Sequence, residues 1–578
     1  MHTVALLCSL GMMSDMAKRD RHWLNWVKDW GRGFSYIGLV VGAFCFAASL
    51  TPSLLPRHFV VQGALSGVAF TIGYGIGKLI VLVWQLFEVP LPSERIVRGF
   101  KWTMAIVALI ICASFLSQTT RWQNSIRLLM GMEPEVSAYP FSVAMIALLT
   151  AGIVITIARI IQGIWRVINS RLKQYIPPRV SFVISTTMTI VLLLLLLNNV
   201  LTKVLLHAAD NVFLQLDSVN DGKDPKPTDP FASGSVESLI EWDTIGQRGK
   251  DFVMAGPTQN DITLFLNRSA AEPIRVYAGY RSMEDVVDRA KLALAELKRV
   301  GGFERKVLIV AIPTGTGWLD QNAVDPVEYM HAGDTAIVSM GYSYLPSWMT
   351  LLIDPDRSRA AARALFLEVY GHWQTLPRDE RPRLYLYGLS LGSLGAESTI
   401  DLYTMIGDPI DGGVFSGPPF PSTMWNQIVT DRVPGSPIWL PKFRDGSIVR
   451  FTGKRNTIYE SGNRWGPMRF VYIQHPSDPM VFFSPDLLWK EPAWLQGQRG
   501  PDVSPFLRWF PIVTCLQISF DLPMATSVPL GHGHNYDAGS YIDAWVAVTA
   551  PENWTDNDTR KLKAKFAGME RVSEPMSP

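Results

Sequence analysis

The sequence predicts an α-helical membrane domain followed by an α/β domain with a mainly parallel sheet. Three observations predict it. Nearly all the long apolar runs of this 578-residue chain fall within its first 207 residues. From about residue 236 onward, short apolar runs of strand length alternate with stretches of helical period, the pattern of a parallel sheet covered on both faces. One of those runs, Arg383–Tyr387, stops at Gly388-Leu389-Ser390-Leu391-Gly392 and is followed by a helical stretch from Leu394 to Met405.

Residues 1–32 form a polar, basic tail after a brief apolar start. Met1–Met13 has no positive leading region and no small-residue cleavage site, so it does not read as a signal peptide. Five apolar stretches follow, at 33–50, 60–84, 102–118, 140–161 and 180–206. Each has the length of about 17–25 residues that crosses a bilayer core as a helix. The last contains six consecutive leucines, 192–197, which argues against a buried helix of a soluble protein. Thr51-Pro52-Ser53-Leu54-Leu55-Pro56 breaks the chain into a tight hairpin between the first two stretches.

Charges on the connecting segments set the expected orientation. Lys18, Arg19, Arg21, Lys28 and Arg32 precede the first stretch, and Arg95, Arg98 and Lys101 separate the second from the third. Arg159, Arg166, Arg171, Lys173 and Arg179 lie at or between the facing ends of the fourth and fifth. The opposite connections carry only Arg57, Arg121 and Arg127. The positive-inside rule then puts the N-terminus in the cytoplasm and everything after the fifth crossing outside. Trp122, Ile126 and Leu129, and likewise Trp165, Ile168, Leu172 and Tyr175, share helical faces beside basic residues. Both sets suit helices lying in the headgroup layer. Ionisable residues are nearly absent from the middles of the stretches, which argues against an ion or proton pathway.

Residues 208–235 are read as a linker, polar and rich in Pro and Gly from Asp217 onward, and 236–578 as the α/β domain. Its expected strands are Ile274–Ala278, 307–312, 336–340, the run before Ser390, 413–415 and 469–474. A helix capped by Ser282 is expected to bury Met283, Val286, Val287, Ala290, Leu294 and Leu297 and to end at Gly301-Gly302. Further helices are expected over 359–373 and, as the last element, 539–549. Net charge is only +2, with no strong basic cluster away from the apolar stretches, so nucleic acid is not an expected partner. The four cysteines, at 8, 45, 112 and 515, build neither a disulfide framework nor a metal site. No cofactor is expected.

A strand that turns sharply into a helix at Gly-x-Ser-x-Gly lifts the serine into reach of a substrate, and the glycines permit the turn. Ser390 is therefore the expected nucleophile. A serine needs a base to take its proton and an acid to orient that base, here in the chain order Ser, Asp or Glu, His. Asp478 follows the strand 468–474 within His475-Pro476-Ser477-Asp478-Pro479 and is the expected acid, with Asp486 and Asp445 as fallbacks. Gly531-His532-Gly533-His534-Asn535-Tyr536 precedes the expected last helix and supplies the base. His534 is preferred for its place nearer that helix, with His532 as the alternative. A His-x-His metal pair is the rival reading, but it lacks a matching third ligand. Oxyanion donors are expected from the N–H of Leu391 and from the loop containing Thr314 and Gly315. That loop lacks the Gly-Lys-Ser/Thr ending of a phosphate-binding loop.

As a set, Ser49–Arg57, Pro313–Trp318, Tyr342–Trp348, Gly388–Gly392 and Gly531–Tyr536 give the chain a resemblance. It resembles the bacterial membrane-anchored alpha/beta-hydrolase family, which joins a multi-span N-terminal domain to a C-terminal serine-hydrolase domain. Leu389 departs from the acidic residue that many relatives carry there. The resemblance implies an α/β-hydrolase fold and a location in the bacterial inner membrane. The expected activity is that of a membrane-tethered serine hydrolase acting on an ester of a lipid or cell-envelope amphiphile, its partners being the bilayer and that substrate. A non-catalytic scaffold or envelope-assembly factor with a hydrolase-like binding domain is the alternative, and a transporter with an external domain the third.

Overall fold

The computed structural model describes residues 34–87, 93–197, 225–400 and 407–569. The tail 1–32 with its five basic residues, residues 198–206 of the fifth apolar stretch, linker residues 208–224 and residues 401–405 of the expected Leu394–Met405 helix lie outside them.

Among the described residues the apolar half holds five helices: α1 (Tyr36–Ser49), α2 (Phe59–Leu86), α3 (Glu94–Leu129), α4 (Pro140–Leu172) and α5 (Pro178–Leu197). Among the described residues three of them, α2, α3 and α4, are long and apolar enough to cross a membrane. This is two fewer than the five expected crossings. The 14 residues of α1 rise about 21 Å, short of a hydrocarbon core of about 30 Å. The two expected interfacial helices are absent as separate elements. Trp122, Ile126 and Leu129 continue α3, where Trp122 and Ile126 are buried, and Trp165, Ile168 and Leu172 continue α4. No proline stands at either junction, and the single glycine there, Gly163, is carried inside α4, so each helix propagates.

Small residues let these helices meet backbone to backbone. A Cβ at Gly77 of α2 would lie 2.6 Å from the Gly38 Cα of α1, and one at Gly67 2.6 Å from the Ala147 carbonyl of α4. Thus α2 packs on α1 and on α4 through separate glycine pairs, Gly73/Gly77 and Gly63/Gly67.

The chain forms two compact units. The first takes its described residues from Met1–Thr51, Arg57–Gln123 and Glu135–Gly163, the second from Pro52–Pro56, Asn124–Pro134 and Ile164–Pro578. The connection Pro52–Pro56, and the last turns of α3 with the start of the connection after it, therefore belong with the second unit. Within it, the N–H groups of Leu54 and Leu55 donate to Asp521 Oδ2 at 3.2 and 3.4 Å, and the Ser125 and Ser504 hydroxyls meet at 2.7 Å.

The second unit is built on a seven-stranded sheet of order β1-β3-β2-β4-β5-β7-β6. The strands are β1 (Ile274–Ala278), β2 (Val307–Ile312), β3 (Thr335–Met340), β4 (Arg383–Leu389), β5 (Gly412–Ser416), β6 (Val449–Thr452) and β7 (Arg469–Ile473), and every pairing is parallel. Helices α6 (Val286–Arg299), α8 (Asp356–Thr375) and α9 (Leu391–Ser398) pack on one another, as do α7 (Gln321–Met330), α10 (Ala538–Thr549) and α11 (Asp556–Ala567). Right-handed crossovers place the two sets on opposite faces. Trp545 of α10, fully buried, meets Tyr385 and Tyr387 of β4, so the strand leading to Ser390 is fixed in the core.

Several elements differ from expectation. Helix α6 starts later, because the Asp285 carboxylate accepts from the N–H groups of Val287 and Asp288, while the Ser282 N–H closes a turn on the Gly279 carbonyl. Met283 and Val287 are consequently exposed, and Ala293 takes a place in the buried face. Strand β6 was not expected, since Arg450 interrupts its apolar pattern; the guanidinium is buried against the Trp465 ring, 3.8 Å away. Helix α11 follows α10, which is therefore not the last element.

Candidate active site

The elbow between β4 and α9 is tight enough to require its glycines. A Cβ at Gly388 would lie 2.2 Å from the Gly392 carbonyl, and one at Gly392 2.1 Å from the Ile312 carbonyl. Between them Ser390 is held at φ 58°, ψ −124°, a backbone region that non-glycine residues rarely adopt. The serine is buried, its N–H donates to the Ser416 carbonyl at 3.0 Å, and its Oγ has no hydrogen-bond partner among the described residues. As the first residue of α9, Leu391 has an N–H with no intrahelical acceptor.

Asp478 and His534 come from loops 56 residues apart, yet His534 Nδ1 lies 2.7 Å from Asp478 Oδ2. The Tyr536 hydroxyl donates to the same oxygen at 2.7 Å, and the Met480 N–H to Oδ1 at 2.9 Å. Burial by itself would raise the Asp478 carboxyl. The His534 charge and the hydrogen bonds from His534 and Tyr536 outweigh it and hold the carboxyl below its ordinary range. Because the carboxylate accepts, His534 carries its proton on Nδ1 and leaves Nε2 as a base. That Nε2 is buried and has no partner among the described residues.

The loops are laced further. His475 Nδ1 donates to the Gly533 carbonyl (2.9 Å), the Gly533 N–H donates to Ser477 Oγ (2.8 Å), and the His475 ring stacks on Tyr536. Ser390 and His534 are linked through Ser416–Gly417. Ser390 bonds to Ser416, and a Cβ on Gly417, whose φ is +52°, would lie 2.4 Å from His534 Cε1. Only a glycine leaves that ring its place.

His532 lies elsewhere. Its Nδ1 is 3.3 Å from Asp502 Oδ2, and its Nε2 is 2.8 Å from Lys454 Nζ. The fallback acids Asp486 and Asp445 are exposed, and neither meets a histidine. In the loop after β2, the Thr314 N–H donates to the Trp318 carbonyl at 2.9 Å and the Gly315 N–H to Ser347 Oγ at 3.0 Å. Both expected donors from this loop therefore already have acceptors in this conformation, because the loop closes a turn on itself and packs against the start of the Ser347–Ile353 helix. Sequence reasoning did not pick out Tyr536, although it ends the His-Gly-His-Asn-Tyr run, nor Asp502, Lys454 and Gly417, which no local pattern marks. Among the described residues no group of three or more His, Cys, Asp or Glu could hold a metal ion.

Two family models match the chain. One, described as the alpha/beta-hydrolase family, covers residues 274–562. The other, described as that family's N-terminus, covers residues 50–257. No curated protein and no solved structure matches.

Proposed function

The chain belongs to the alpha/beta-hydrolase family, and we propose that it is a membrane-tethered serine hydrolase that cleaves an ester of a lipid or cell-envelope amphiphile. One observation carries the reading. Ser390 Oγ and His534 Nε2 are both buried without partners among the described residues, on loops joined through Ser416–Gly417. Folded proteins seldom leave buried polar atoms unpaired, and a nucleophile and its base are groups for which a substrate completes the set.

In this reading His534 Nε2 takes the Ser390 proton as Oγ attacks the ester carbonyl. Asp478 stabilises the imidazolium and holds the tautomer. The tetrahedral oxyanion takes the Leu391 N–H and, once the Ser347 hydroxyl gives way, the Gly315 N–H. Collapse expels the alcohol with the proton from His534. Water, deprotonated by the same nitrogen, then releases the acid and restores Ser390.

The membrane half belongs to the same proposal. Five crossings put the N-terminus in the cytoplasm and the α/β domain outside the inner membrane. The support is the distribution of Lys and Arg along the connections. A site tethered to a bilayer meets substrates dissolved in it at raised effective concentration. The full chain in liposomes should therefore hydrolyse long-chain amphiphilic esters in preference to short soluble ones. A preference for the short esters would leave the serine chemistry standing and remove the lipid substrate.

A further inference from the structure

Residues of the same two loops, His475, Pro476, Gly531 and His532, also line a cavity of about 780 Å³ that Ser390 does not line. Its wall carries Lys454, Arg455 and Arg499 against a single carboxylate, Asp502. Arg455 is paired with Glu460 at 3.1 Å, and Arg499 uses one nitrogen on the Ser504 carbonyl at 2.8 Å. Lys454 gives one of its three N–H bonds to His532 Nε2, and His532 Nδ1 passes its own to Asp502 Oδ2. The Ser477 hydroxyl donates to that same oxygen at 2.5 Å.

Two acceptors remain. Asp502 Oδ1 and His475 Nε2 are buried without partners among the described residues, in side chains whose residues are 4% and 1% exposed. His475 donates from Nδ1 to the Gly533 carbonyl, so its Nε2 is the lone-pair nitrogen, and burial pushes its pKa down and keeps the ring neutral. Trp439 and Leu440 supply an apolar wall. The cavity thus combines cations that call for an anion, buried acceptors that call for hydroxyl donors, and a surface for a short carbon skeleton.

We propose that this cavity is a second binding site, for a phosphate-bearing polyol such as a phosphoglycerol or sugar-phosphate group. Lys454 and Arg499 take the phosphate, and His475 Nε2 and Asp502 Oδ1 accept from the hydroxyls. The site stands whether or not Ser390 is a nucleophile. Since His475 and Asp478 share one loop and His532 and His534 the other, its occupant would touch both loops that carry the proposed catalytic pair.

Calorimetric titration of the detergent-solubilised full chain tests this with sn-glycerol 3-phosphate, inorganic phosphate and glycerol. Glycerol phosphate should bind, inorganic phosphate more weakly, and glycerol not measurably. Lys454→Met and Arg499→Gln should each weaken glycerol phosphate by about tenfold or more, while the unfolding midpoint of the ligand-free protein stays near that of the parent. His475→Phe should weaken glycerol phosphate and spare inorganic phosphate. In nanodiscs, phosphatidylglycerol that suppresses the glycerol phosphate signal, where phosphatidylcholine does not, assigns the site to a lipid headgroup. Equal signals in both assign it to a soluble ligand. Absence of glycerol phosphate binding to the parent chain, or binding that folded Lys454→Met and Arg499→Gln both retain, overturns the proposal.

Discussion

Ser390 stores strain in its own backbone. A non-glycine residue at φ 58°, ψ −124° costs about 1–3 kcal/mol, and it persists because Gly388 and Gly392 are packed too tightly for the turn to relax. The same economy of space holds at Gly417, where any side chain would displace the His534 ring. If His534 is the base, His534→Ala should lower turnover by about four to six orders of magnitude, as loss of a base in such a triad does. His532→Ala should lose far less, because its ring serves Asp502 and Lys454. Steady-state kinetics on folded variants checks this, and a reversed order would move the base to His532. The candidates Ser390, Asp478 and the two histidines were legible because each sits in a local pattern: an elbow, a loop after a strand, a glycine-flanked pair before a helix. The pairing itself was not, because it depends on which ring a carboxylate 56 residues away meets.

Among the elements, α9 does more than present its N-terminus to Ser390. Glu397 near its other end is buried and receives the N–H groups of Met424 and Trp425 and the Tyr472 hydroxyl. Burial pushes its carboxyl from an ordinary 4.5 up to about 7, those hydrogen bonds opposing only part of the rise. The folded chain therefore keeps a proton on Glu397 between these values while the unfolded chain has lost it. Stability from this group is fully present below pH 4.5 and falls as pH rises towards 7. Glu397→Gln removes the titration, so the stability gap between variant and parent should move in the variant's favour by about 3 kcal/mol between about pH 4 and about pH 8. Thermal unfolding midpoints that differ by the same amount at both pH values would contradict this. The apolar strands of the sheet centre were readable from sequence because they are buried on both faces. Strand β6 was not, since Arg450 finds its partner in Trp465 rather than in its own run, and the start of α6 was missed because two acids and a serine compete for one cap.

The two units of the molecule divide along a line that hydropathy alone does not draw. Pro52–Pro56, which joins α1 to α2, and Asn124–Pro134, the end of α3 and the residues after it, belong with the second unit, where the N–H groups of Leu54 and Leu55 donate to Asp521. The sequence marked Pro52–Pro56 as a break and left its destination open, because Asp521 lies more than 460 residues away. Five proposed crossings make a direct demand on topology: alkaline phosphatase fused near residue 215 should be active in a bacterial host, and fused near residue 170 inactive. The opposite pattern would refute the five-crossing arrangement. Beneath both topology and substrate lies the claim that Ser390 is an activated nucleophile. A labelled fluorophosphonate reacts with a serine only where a base has activated it, so the full chain should be labelled at Ser390 and the folded Ser390→Ala protein should remain unlabelled. Equal labelling of the Ser390→Ala protein, or no labelling of the parent chain, would contradict the account.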